Sequence, residues 1–323
     1  VASMTDGANC PANVQFTIAA PQAMGLAVSL TDSVACFGQS NGSATVAVTG
    51  GTANYTFAWD NGEASVTATQ LNAGSHSVTV TDMAGCEAES VILVPQPAAL
   101  SLSVNTTAVS CPGTGNGTAT VLPSGGTASY QFTWDAAAGN QSGATAQNLS
   151  GGNYQVIVTD ANGCSAHMSA AVTEPAAIQL TTQTTDALCF GTPTGTASAT
   201  ATGGNGGFSF VWSNMQNTAL ASGLSSGNYT VTATDAAGCR DSATVVIGQP
   251  TSLQVQWQHT DPDCFGGSDG SAQATISGGT TGYTIVWPGQ APGTNPVRQN
   301  LSAGSYVVTV SDANNCTETQ TIT

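Results

Sequence analysis

The phrase "GNYTVTATDAAGC" at residues 227–239 returns as "GSHSVTVTDMAGC" at 74–86, "GNYQVIVTDANGC" at 152–164 and "GSYVVTVSDANNC" at 304–316. Its back half also closes "VASMTDGANC" at Cys10. The closing cysteines therefore stand at 10, 86, 164, 239 and 316, a spacing of 75 to 78 residues. Solenoid repeats run to only ~50 residues, whereas a period near 75 suits small domains with a core each. The expected organisation is a partial unit at 1–21 followed by units at 22–97, 98–175, 176–250 and 251–323, the last cut short. Because the chain starts within a unit, it is expected to be a piece of something longer.

Within a unit the apolar spacing is two, never 3.6. "IQLTTQT" and "TASATATGG" of the third unit alternate small apolar and polar residues between Gly-rich turns. In "FSFVW", Phe208, Phe210 and Trp212 share one face, as do Tyr55, Phe57 and Trp59; Tyr130, Phe132 and Trp134; and Tyr283, Ile285 and Trp287 in the other units. Large apolar groups on alternate residues mark the buried side of a half-buried strand. A further strand ends at Leu71, Leu149, Leu224 or Leu301, the recurring phrase supplies the next, and a last strand runs to Pro97, Pro175 or Pro250. Six or seven short strands per unit read as tandem Ig-like or fibronectin-like Greek-key β-sandwiches, all-β and arranged as an extended string. Strands of seven to nine residues would make four units on the order of 120–160 Å long at ~3.3 Å per residue. Trp59, Trp134, Trp212 and Trp287 are the expected core anchors. Tyr154, Tyr229 and Tyr306, in "L-x-x-G-x-Y", fit a tyrosine corner, where a hydroxyl bonds back to upstream backbone. His76 takes that position in the first full unit.

Composition narrows function. The chain has no lysine, two arginines (Arg240 and Arg298) and 18 acidic residues, for a net charge of −16, yet only 6% of residues are charged. An ordinary domain carries about 25%, so the surface is largely Thr, Ser, Asn, Gln and Gly. Nucleic acid is excluded as a partner, since phosphate binding needs clustered Lys or Arg. No run approaches the ~18 apolar residues of a membrane span, so no membrane insertion is expected in this segment. Lys–Asn isopeptide crosslinks cannot form. Nine cysteines at fixed repeat positions imply disulfides and an extracellular or cell-surface location.

The series "C-F-G-x-x-x-G", "G-G-T-x-x-Y-x-F-x-W", "L-x-x-G-x-Y-x-V-x-V-T-D-x-x-G-C" and a closing "Q-P" or "E-P" resembles the SprB-type repeat of very large surface adhesins of gliding and other Bacteroidetes bacteria. The resemblance covers essentially the whole chain and departs from the pattern at Pro112 and His76. It implies secreted tandem domains on long surface fibres exported by the type IX route, and brings no catalytic residues.

Other motifs weigh lightly. "GQSNG" (38–42) and "GGSDG" (266–270) match a hydrolase elbow, but a strand rather than a helix follows, and Gly115 and Pro193 fill the serine slot elsewhere. His76, His167 and His259 fall at different places in their units, and Trp257 is expected to pack in the core or at an interface. No acid, base or nucleophile recurs where chemistry could use it, so no enzyme is expected. Asn-x-Ser/Thr triplets, as at Asn54, Asn105, Asn148, Asn228 and Asn300, follow from an Asn- and Thr-rich composition. Asp82, Asp160, Asp235 and Asp312, with Asp6, recur before the closing turn, and Asn41, Asn116 and Asp269 before a Gly. Two readings stand: carboxylates capping turns, with no cofactor, or Ca²⁺ held between units, which wants six to eight oxygens.

The expected cysteine pairing lies within units: Cys36–Cys86, Cys111–Cys164, Cys189–Cys239 and Cys264–Cys316, separated by 50, 53, 50 and 52 residues. Four strands lie between the two cysteines of a unit, an even number that would return both to one pole. The neighbour scheme, Cys86–Cys111, would leave sulfurs on the order of 50 Å apart, against a Cα limit of about 7 Å. Cys10 would have its partner in a preceding unit. The functional expectation is a stalk segment that presents distal adhesive elements, with neighbouring repeats of the same chain as partners. Two alternatives remain: a carbohydrate-binding module, and a self-assembling multi-chain filament or surface-layer subunit.

Overall fold

The computed structural model describes residues 2–9 and 11–323, whose backbone forms strands and no helix. β1 (Ala2–Thr5) and β2 (Pro11–Val14) make an antiparallel hairpin. Four blocks of six strands follow. The first holds β3 (Gly25–Asp32), β4 (Gly42–Thr49), β5 (Thr56–Trp59), β6 (Thr67–Leu71), β7 (Gly74–Thr81) and β8 (Glu87–Val94). The second holds β9 (Ser101–Thr107), β10 (Gly117–Ser124), β11 (Gln131–Trp134), β12 (Thr145–Leu149), β13 (Gly152–Thr159) and β14 (Ser165–Val172). The third holds β15 (Gln179–Thr185), β16 (Gly195–Thr202), β17 (Ser209–Trp212), β18 (Leu220–Leu224), β19 (Gly227–Thr234) and β20 (Arg240–Ile247). The fourth holds β21 (Gln254–Thr260), β22 (Gly270–Ser277), β23 (Thr284–Val286), β24 (Val297–Leu301), β25 (Tyr306–Ser311) and β26 (Thr317–Ile322).

Every block has the same topology. Its first, second and fourth strands form one three-stranded sheet with the second in the middle, and its third, fifth and sixth form another with the fifth in the middle. All pairings are antiparallel. This is an Ig-like sandwich with two small sheets, as the period-two pattern predicts. The chain divides into two compact units, one of Val1–Ala108 with Gly115–Thr173 and one of Val109–Thr114 with Glu174–Thr323. Each contains two sandwiches.

The cores follow from the alternation. On β7, His76, Val78 and Val80 are buried while the intervening Ser77 and Thr79 are half-buried. Trp59, Trp134, Trp212 and Trp287 are all buried. The indole N–H of the first three donates to a carbonyl of the following turn, at Ser65, Gly143 and Thr218, each at 2.9 Å. A buried indole without that partner would carry a desolvated donor. Opposite alanines leave room for the ring: Ala44 faces Ala68, Ala119 faces Ala146 and Ala197 faces Ala221 across the other sheet, and all six are buried. In the fourth sandwich Arg298 takes the partner position to Ala272. There Trp257 stands edge-on to Trp287, ring centroids 5.3 Å apart.

Strand direction decides what each end of a sandwich carries. A Cβ on Gly42, at the start of β4, would meet Val94 at 2.7 Å, the Leu71 carbonyl at 3.0 Å and Val34 at 3.4 Å. The starts of β4 and the ends of β3, β6 and β8 therefore share one pole. Gly51, after β4, lies against Asp82, after β7, and Met24, before β3, at the other. Since β6 runs antiparallel to β4 and β5 antiparallel to β7, β5 and β6 point the same way. β5 fills the half of its sheet next to Asp82, with Trp59 opposite Val78, and β6 the half of its own next to Gly42, with Thr67 opposite Thr45. Residues 60–66 cross from one sheet to the other at mid-height, so the two short strands make a single pass, and the crossing leaves no period-two signature.

Replacing Trp212 with Ala should lower the stability of the third sandwich by about 3–5 kcal/mol, the usual cost of emptying a large buried aromatic site. In chemical denaturation, one unfolding transition would move to lower denaturant while those of the other sandwiches stayed in place.

Candidate functional site at the stapled turns

At one pole of each sandwich a buried aspartate organises the turn that ends in the closing cysteine. Asp82 Oδ1 accepts from the backbone N–H of Ala84 (2.9 Å) and Cys86 (2.8 Å), and Oδ2 accepts from Thr52 N–H (2.9 Å). Asp160 does the same with Asn162, Cys164 and Thr127, Asp235 with Ala237, Cys239 and Asn205, and Asp312 with Asn314, Cys316 and Thr280. One carboxylate thus ties the closing turn to the Gly–Gly turn after the second strand. The carboxyls of Asp82, Asp160 and Asp235 are held below their ordinary value of 3.8, chiefly by the N–H of Thr52, Thr127 and Asn205 respectively, with burial opposing. Both oxygens of each aspartate are turned onto backbone donors, the geometry of a cap. Among the described residues no cluster of His, Cys, Asp or Glu gathers as a metal site.

The opposite pole, where the fourth strand ends and the fifth begins, holds the corner bond. Tyr154, Tyr229 and Tyr306 donate their hydroxyls to the carbonyls of Ser150 (2.9 Å), Ser225 (3.1 Å) and Ser302 (2.9 Å). His76 reproduces it, with Nε2 3.0 Å from the Asn72 carbonyl and Nδ1 3.0 Å from Asp60. An imidazole thus replaces the phenol by spanning the same four residues. A second tyrosine bond, invisible in the sequence pattern, runs from Tyr55, Tyr130 and Tyr283 to the carbonyls of Gly50, Gly125 and Gly278 at 2.6–2.7 Å.

The opening cysteines sit at the pole opposite the aspartates, in the loop between the first and second strands. The glutamine of the closing "Q-P" anchors that loop: Gln96 Oε1 accepts from Gly38 N–H and Gln249 Oε1 from Gly191 N–H, both at 2.8 Å. The loop also carries the exposed Phe37, Phe190 and Phe265.

The disulfides join Cys36 to Cys164, Cys111 to Cys239 and Cys189 to Cys316, with Cα atoms 5.7, 5.5 and 5.6 Å apart. The expected within-unit pairs Cys36–Cys86, Cys111–Cys164, Cys189–Cys239 and Cys264–Cys316 are therefore wrong. The chain passes three times, not four, between an opening and a closing cysteine, because the third and fourth strands are half-length and make one pass between them. In the first three blocks the opening cysteine lies at the end where the next block begins and pairs with the closing cysteine of that next block, 127 or 128 residues on. Cys86 and Cys264 are free and exposed, and Cys10 lies outside the described residues.

An asparagine amide accompanies each staple. Asn162 Nδ2 donates to the carbonyl of Ala35 (2.9 Å), Asn205 to that of Ser110 (2.9 Å) and Asn314 to that of Leu188 (3.0 Å), in each case the residue just before the opening cysteine. Asn162 and Asn314 stand two residues after the capping aspartate. In the third block that position is Ala237, and the amide comes instead from Asn205 in the Gly–Gly turn, where the other blocks have Thr52, Thr127 and Thr280. The two positions exchange residues and keep the bond.

The remaining candidates are not brought together. Ser40 and Ser268 of the G-x-S-x-G matches lie exposed in the opening-cysteine loops. His167 is on β14 opposite Ile157. His259 lies 3.8 Å from Asp261. Trp257 packs half-buried on the fourth core, its indole nitrogen without a partner.

Trypsin has two cleavage sites, after Arg240 and Arg298. With free thiols alkylated and the chain denatured without reductant, fragment 299–323 should stay attached to 1–240 through Cys189–Cys316, and 241–298 should come away alone. Recovery of 299–323 bound to 241–298 would restore the within-unit scheme. The aspartate caps predict a pH response. A folded pKa below 3.8 contributes stability above that value, which is lost as pH falls through it toward the folded pKa. Melting temperature should therefore hold from pH 7 to about 5 and drop below about 4, and EDTA at pH 7 should leave it within about a degree if the carboxylates are caps alone.

The SprB repeat family matches residues 29–64, 103–139, 181–217 and 258–291, in each case from the first strand of a block to the turn after its tryptophan or, in the fourth, just beyond. No curated protein matches the chain. Among solved structures, the N-terminal eight Ig domains of Down Syndrome Cell Adhesion Molecule are similar over 94% of this chain at 11% identity, with a TM-score of 0.31; the match spans 60% of that structure. The N-terminal four Ig domains of Dscam1 isoform 4.44 are similar over 93% of this chain and 98% of theirs, at 12% identity and a TM-score of 0.24. The chain carries four SprB repeats in tandem, each matched within one Ig-like sandwich.

Proposed function

We propose that this chain is a structural segment of an extracellular surface fibre, a non-enzymatic stalk that holds distal adhesive elements away from the cell. The disulfides between successive repeats carry the reading. Structural disulfides form and persist in oxidising compartments, and here they spend the cysteines on linking one repeat to the next. The buried placement of the four tryptophans that recur in the repeats takes them out of any carbohydrate platform, and the exposed aromatics Phe37, Phe190 and Phe265 stand one to a repeat. Export from a Bacteroidetes cell by the type IX route belongs to the same proposal and rests on the SprB repeat.

A second reading, lateral bundling of several copies, is favoured by apolar side chains on the outer face of the sheet built on the third, fifth and sixth strands. Val91 and Leu93 on β8, Ile157 on β13, Val211 on β17, Val246 on β20 and Val307 on β25 are 40–66% exposed there. Both readings place the chain outside the cell. Immunogold labelling of intact cells with an antibody to this segment should decorate external fibres. Labelling that appears only after permeabilisation would overturn the proposal, and the number of chains in a fibre's cross-section decides between the two readings.

A further inference from the structure

The three staples overlap. Their spans are 36–164, 111–239 and 189–316, so every peptide bond between Cys36 and Cys316 is bridged by at least one disulfide. Overlap changes what a pulling force meets. A tether under tension straightens along its shortest covalent route, and that route here is not the main chain. It enters at Cys36, crosses to Cys164, follows the backbone to Cys189 and crosses to Cys316. From residue 36 to residue 316 the main chain has 280 residues, and the short route uses only the 25 from 164 to 189.

We propose that the staples act as a mechanical shunt, which carries tension past the sandwich interiors so that most of the chain never bears load. The 25 loaded residues suit the task. β14 and β15 supply 8 and 7 of them, already near full extension. Each is an edge strand, β14 beside β13 and β15 beside β16, so pulling along its length strains a whole ladder of hydrogen bonds together. The second, third, fourth and fifth strands of every block, with their tryptophans and aspartate caps, lie off the route. A fibre built this way would transmit force without the lengthening that follows when ordinary tandem domains unravel.

The third disulfide has a different part. With Cys36–Cys164 absent, the shortest route runs from Cys36 to Cys111, across to Cys239, back to Cys189 and across to Cys316, which is 125 residues rather than 25. Cys111–Cys239 therefore lies idle while its neighbours are intact and limits extension when one breaks.

The shunt takes its use from the fibre proposal, but pulling the isolated chain reads the route wherever the protein resides, so the two fail separately. The chain would be held by its ends in single-molecule force spectroscopy, in a Cys10→Ser, Cys86→Ser, Cys264→Ser background that removes stray thiols. Oxidised, it should show no steps of sandwich unfolding between Cys36 and Cys316, and its full contour should be shorter than that of the dithiothreitol-reduced chain by 255 residues, roughly 850–900 Å at ~3.3–3.6 Å per residue. Adding Cys36→Ser and Cys164→Ser should lengthen the oxidised contour by 100 residues, about 350 Å. Adding Cys111→Ser and Cys239→Ser instead should leave it unchanged. Contour at full extension depends on pairing alone, so a poorly folded variant still reports. A sawtooth of unfolding in the oxidised chain, equal oxidised and reduced contours, or lengthening on loss of Cys111–Cys239 would each overturn the shunt.

Discussion

One buried carboxylate per repeat does the local work on which the rest of this architecture depends. A carboxylate out of water is costly unless its oxygens are met by donors, and here three backbone N–H groups meet them. Two belong to the closing turn and one to the Gly–Gly turn. The same contacts fix the closing cysteine, whose own N–H is one of the three donors. Without the aspartate that cysteine would sit on a free loop. With it, the sulfur is presented at one pole, where the preceding repeat's opening cysteine can reach it.

From that anchor the staple becomes a property of the array rather than of a domain. A disulfide closing about 128 residues is worth roughly 5 kcal/mol in the chain-entropy model, close to the whole stability of a small domain. Because each loop encloses parts of two sandwiches, that stabilisation is shared. The asparagine amide beside each staple adds a neutral hydrogen bond, worth about 1 kcal/mol net. Its movement from the closing turn to the Gly–Gly turn in the third repeat shows that the contact, not the position, is kept.

The surface fits such a role. With few charges to desolvate, repeats rich in Thr and Ser form cross-strand hydroxyl pairs such as Thr45 with Thr67 and Thr120 with Thr145, both at 2.9 Å. The scarcity of Lys and Arg leaves trypsin-like proteases two sites. Any single cut between Cys36 and Cys316 leaves the pieces joined.

Much of this was legible in the residues. Alternation of Tyr, Phe and Trp on one strand specifies a half-buried β-strand because the side-chain period of a strand is two. The Asp-x-x-Gly-Cys ending specifies a capped turn because an aspartate reaches its own backbone two and four residues on. The tryptophans, tyrosines and aspartates all stand where those local rules put them, and the histidine at 76 makes the bond its tyrosine counterparts make. The cysteine partners were not legible. Residues 60–66 carry no periodic signal, yet they switch the chain from one sheet to the other at mid-height, so two short strands make a single pass and Cys36 and Cys86 end at opposite poles. Pairing depends on which poles face each other, a distance in space that spacing along the chain does not encode. The sequence by itself determined strands, turns, core and repeat. Only the tertiary structure decided which sulfurs meet, because parity of passes is set by strand direction, and strand direction by which strands share a sheet.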